Sequence, residues 1–69
     1  MNATQKSLKN PGKIVKGDNR DYYLTDGRGF IWIIHKDIES WLAEMNLNKY
    51  KHNTRKQLVE TILSRYPIY

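Results

Sequence analysis

The chain has 69 residues, with 12 Lys+Arg against 7 Asp+Glu, a formal charge of +5, and no cysteine. That length holds one small hydrophobic core, which argues against a multidomain enzyme with a deep active site, and the lack of cysteine excludes disulfides and thiolate metal sites. A pI near 9.6 favours polyanionic partners such as nucleic acid or an anionic membrane surface.

Residues 1–12 are polar, carry Lys6 and Lys9 with no acid, and end in the turn signal Asn10-Pro11-Gly12, so a flexible basic arm is expected there. The first thirteen residues lack the apolar stretch of a secretory signal. The longest apolar run, Phe30 to Ile34, has five residues, far short of the roughly 20 that a membrane span needs. A soluble cytoplasmic protein without a membrane partner is therefore expected, with residues 13–69 as its single small domain.

From Lys13 to His35, β-branched and aromatic runs alternate with Gly17-Asp18-Asn19-Arg20 and Asp26-Gly27-Arg28-Gly29. This composition predicts a β-hairpin or a three-stranded antiparallel meander over 13–35. The last of these strands is apolar on both sides, with Phe30, Trp32 and Ile34 alternating with Ile31, Ile33 and His35. Both faces must be covered, by helices on one side and by the arm, a second subunit or a ligand on the other.

Asp37 is placed to cap a helix in which Ile38, Trp41, Leu42 and Met45 fall at i, i+3, i+4 and i+7, one apolar stripe. Thr54-Arg55-Lys56-Gln57 has capping-box spacing. Leu58, Val59, Ile62, Leu63 and Tyr66 form the apolar face that follows it, and Pro67 stops the second helix. Residues 47–53 read as an extended loop between the two helices. The expected fold class is thus α+β, a hairpin or meander followed by two helices joined by an extended loop.

Residues 37–66, from Asp37-Ile38-Glu39-Ser40-Trp41-Leu42 through Thr54-Arg55-Lys56-Gln57-Leu58 to Ile62, resemble the helix–extended loop–helix (HeH) motif, a relative of SAP and LEM domains. Ile38, Trp41, Leu42, Leu47, Leu58 and Ile62 would fill its hydrophobic positions, and Arg55 and Lys56 its basic second-helix start. The loop lacks the glycine usual in SAP motifs, and its length suits the HeH variant. The resemblance implies nucleic-acid binding for the SAP-like and HeH-like branches and docking on a chromatin protein for LEM domains. More weakly, residues 22–45 resemble the sheet-plus-helix modules with which phage integrases read DNA arm sites.

The sharpest functional signal is Lys49, Lys51, His52, Arg55 and Lys56, five cationic or protonatable groups within eight positions and no intervening acid. Cations at the positive end of a helix oppose its dipole, a cost that a bound phosphate recovers; the competing reading is a solvated basic face. Tyr50 between the lysines either stacks on a base or, as preferred, packs its ring and exposes its hydroxyl. Lys13, Lys16 and the turn residue Arg28 add to the candidate set. Residues 1–36 hold seven Lys+Arg against three Asp, so the arm either tracks a backbone or serves solubility. Trp32 and Trp41 are expected as core anchors, whereas Tyr22, Tyr23, Tyr66 and Tyr69 are left open.

No constellation for catalysis emerges. His35, Asp37 and His52 do not converge by spacing, zinc needs three or four ligands, and no Gly-rich loop opens a helix, so neither enzyme, metal nor cofactor is expected. The sequence therefore predicts a small nucleic-acid-binding protein, for DNA rather than RNA. Its alternative is a protein-interaction module or phage-encoded inhibitor that docks or dimerises through Phe30, Ile31, Trp32 and Ile33.

Overall fold

The computed structural model describes residues 2–68. Its elements run α1 (Ala3–Lys9), β1 (Ile14–Lys16), β2 (Tyr22–Thr25), β3 (Ile31–Asp37), β4 (Ser40–Met45), β5 (Asn48–His52) and α2 (Arg55–Arg65). The five strands form one antiparallel sheet in chain order, each paired with the next. Among the described residues no helix is long and apolar enough to cross a membrane.

This order corrects the expected one, a hairpin or three-stranded meander followed by two helices. Helix, strands and helix follow each other, and residues 40–52 form two further strands instead of a first helix and an extended loop. The physical reason lies in an ambiguous period. Trp41, Ala43 and Met45 also repeat every second residue, and β3, apolar on both sides, gains a hydrogen-bonded neighbour when that strand period prevails. Asp37 pairs with Ser40 across a two-residue turn instead of capping a helix. Ile38 in that turn, expected on the apolar stripe of the helix, and Leu47 in the next, given a hydrophobic position by the motif resemblance, are 92% and 97% exposed. Asn46 opens the second turn at φ 56°, a left-handed conformation that asparagine tolerates better than other side-chain-bearing residues.

The register assigns each side chain to a face, because successive strand residues point opposite ways. Ile14, Leu24, Trp32, Ile34, Ala43 and Tyr50 lie on one face. There α2 lays Leu58 and Ile62, both fully buried with Leu24, Trp32, Ile34 and Ala43; burial of each large side chain contributes about 1.5–3 kcal/mol. The capping box is formed as expected: Gln57 N–H donates to Thr54 Oγ1 at 3.1 Å, and Thr54 N–H donates to Gln57 Oε1 at 3.2 Å.

The opposite face carries α1, the segment expected as a flexible arm. Asn2 caps it, its Oδ1 accepting from Gln5 N–H at 2.8 Å. Ser7 is buried against the sheet, its hydroxyl 3.0 Å from that of Thr25. The helix packs against β1, β2 and β3. Ile33, on the same face, remains 43% exposed.

Candidate nucleic-acid interface

At one end of the sheet, next to the start of α2, cations and aromatic rings share the α2 face. Lys16 pairs with Tyr22 across β1 and β2, and Lys36 pairs with Trp41 across β3 and β4, so all four project to the same side. Arg55, the first residue of α2, lays its guanidinium 4.3 Å from the Tyr22 ring centre and 5.1 Å from that of Trp41. The Lys36 ammonium stands 5.3 Å from the Trp41 ring centre. The two rings meet edge to face with centres 6.1 Å apart. A groove opens beside them, with Ile14, Trp41 and Val59 as apolar walls and Arg55, Lys56 and Glu60 as charged rim.

The first turn of α2 contains no acid, which its dipole disfavours. For Arg55 the two rings offset this, since a cation over an exposed aromatic face gains about 0.5–1 kcal/mol. The stacking also fixes the guanidinium plane and leaves its edge donors to pair with two oxygens of an anion such as a phosphate. Lys56 is exposed beside it.

The remaining sequence candidates are divided by strand alternation. Lys49 and Lys51 project to the α1 face of the edge strand β5, opposite Glu44 and Leu42. Tyr50 and His52 point the other way, under α2. Tyr50 stacks on Trp32 with ring centres 5.3 Å apart, the packing role preferred for it, and His52 Nε2 lies 2.8 Å from Thr61 Oγ1, joining β5 to α2. The run 49–56 therefore supplies two separate groups of cations. Lys13 is exposed just before β1. Of the apolar alternative, Phe30 and Ile33 are exposed, Ile31 is half-buried and Trp32 is fully buried.

Arg28 is held in the fold. Its guanidinium pairs with Asp26 at 3.0 Å and lies 3.5 Å from the Tyr66 ring centre and 4.8 Å from that of Phe30. Asp26 is buried, and its carboxylate also accepts from Trp32 Nε1–H at 2.9 Å and from the backbone N–H groups of Arg28 and Phe30 at 2.8 and 3.2 Å. Burial pushes its pKa up, but the bonds from Trp32, Arg28 and Phe30 together outweigh it and hold the carboxyl below its usual 3.8. The same turn needs glycine at position 27. The Gly27 N–H donates to Tyr66 O at 2.9 Å, and a β-carbon there would collide with the Pro67 carbonyl.

Among the described residues, ion pairs form only between Arg28 and Asp26 and between His35 and Glu44. Lys16, Lys36, Arg55 and Lys56 thus face solvent or rings without a carboxylate partner. No group of three or more His, Asp or Glu side chains among the described residues is disposed to hold a metal. Sequence reasoning missed Lys36 and took Tyr22 and Trp41 as undecided or core. The missing signal was the pairing of β3 with β4, which sets Lys36 beside Trp41 five positions along the chain. In comparisons with known proteins, no family model, no curated sequence and no solved structure matches this chain.

Proposed function

We propose that the chain binds nucleic acid, DNA in the first instance, by gripping backbone phosphates with Arg55, Lys56, Lys36 and Lys16 around the Tyr22–Trp41 rings. The observation that carries this reading is a set of cations without carboxylate partners at one end of the sheet, two of them, Lys36 and Arg55, ordered on aromatic faces. Such contacts position a phosphate chain without reading base identity, so affinity should depend steeply on salt and weakly on sequence. Lys49 and Lys51, on the far face, are peripheral in this arrangement.

The test is the double substitution Arg55→Glu, Lys56→Glu, followed by fluorescence anisotropy of labelled DNA at low salt. Acids in the first turn of a helix are favourable to its dipole, so α2 is expected to persist, as circular dichroism would check. Binding is expected to fall by more than a hundredfold. Undiminished affinity in the folded variant would refute the assignment.

A second reading, a protein-docking or dimerising face, is favoured by Ile33, which stays 43% exposed on the α1 face. Under it, Ile33→Thr should abolish association while leaving DNA binding intact, as sedimentation at increasing protein concentration would report.

A further inference from the structure

Phosphate contacts alone do not explain the groove beside α2. A backbone-gripping surface needs cations, yet the walls here are the hydrocarbon of Ile14, Trp41 and Val59, half-buried and open to solvent, with the carboxylate of Glu60 on the rim. A carboxylate repels phosphate. It does accept hydrogen bonds from amino and imino N–H groups, which unpaired nucleobases carry on their Watson–Crick edges. Apolar walls, the Glu60 carboxylate and Thr54 hydroxyl as polar groups, and two cations at the mouth match a base attached to its phosphates better than they match phosphates by themselves.

We propose that this groove receives one unpaired base of single-stranded DNA, which lies between Val59 and the Trp41 side while Arg55 and Lys56 hold the flanking phosphates. The inference rests on the nucleic-acid reading above and adds the mode of binding. In a duplex the bases are stacked and paired inside, so the apolar walls gain nothing from it. In a single strand each base offers a π-face and a free edge, and stacking on an aromatic or guanidinium plane stabilises binding independently of sequence. The Glu60 carboxylate has no ion-pair partner and no side-chain hydrogen bond among the described residues, so it is free to accept from the base.

The test uses the full chain and three labelled DNAs at one salt concentration: a single strand, the same strand made abasic over its central stretch, and its duplex. The base-slot account expects the intact single strand to bind at least about tenfold more tightly than either of the others. It also expects Val59→Lys, which fills the slot while adding a cation, to erase that preference. Equal affinity for intact and abasic strands, or for single strand and duplex, would overturn the slot and leave phosphate gripping standing. No salt-sensitive binding to any of the three would overturn both. A preference that survives, or sharpens, in Val59→Lys would also count against the slot.

Discussion

Asp26 shows how one side chain can organise a turn. Five donors converge on its two oxygens, and the carboxylate thereby joins the β2–β3 turn to Trp32 in the core and, through Arg28, to Tyr66 at the end of α2. Replacing it by asparagine keeps the shape but turns one acceptor into a donor facing Trp32 and Arg28. Asp26→Asn should cost about 2–4 kcal/mol, read as a lower urea midpoint with an unchanged slope. The carboxyl titrates below its usual 3.8 in the folded chain, so the stability it contributes is fully present above that value and is lost as pH falls through the lower folded one. Acid titration of the fold should show this loss, and Asp26→Asn should remove it. The sequence marked Asp26 only as a turn residue and Arg28 as a turn residue that could reach nucleic acid. The partners that tie this turn into the fold, Trp32 on β3 and Tyr66 at the end of α2, lie beyond any local pattern, so nothing in the sequence announces them.

The elements differ in how far they announced themselves. The start of α2 was legible because a capping box is local, made by Thr54 and Gln57 three residues apart; Thr54→Ala should lower stability by about 1 kcal/mol, measured by thermal unfolding. The Asp26–Gly29 turn was legible for the same reason. Strand β4 was not, because residues 41–45 satisfy a helical and a strand period together and only pairing with β3 decides between them; β5, which pairs only with β4, then went unseen with it. Helix α1 was illegible for another cause. Its seven residues, ATQKSLK, have no apolar stripe, and so short a helix is unstable by itself; its order depends on Asn2 and on Ser7 docking at Thr25. Its backbone amides should exchange with solvent well before those of β3, as hydrogen-exchange mass spectrometry would resolve. Equal protection of the two would show that α1 holds to the sheet more firmly than these contacts explain.

At the scale of the whole molecule, a formal charge of +5 pointed to a polyanion but not to a surface. The cations that looked contiguous from Lys49 to Lys56 separate onto two faces. The ones that gather, Lys16, Lys36, Arg55 and Lys56, come from β1, β3 and α2 and meet only once the sheet is assembled. The central claim is therefore one of sidedness: the face carrying Tyr22 and Trp41 meets the phosphates, and the face carrying Lys49 does not. The most direct measurement is the slope of log affinity against log salt for the parent chain, Lys36→Gln and Lys49→Gln on the same single-stranded DNA. On a single strand, each lost phosphate contact lowers that slope by roughly 0.7. Lys36→Gln should flatten it by about that amount, with Lys49→Gln indistinguishable from the parent; a flattening by Lys49→Gln with none by Lys36→Gln would contradict the account and move the interface to the other face.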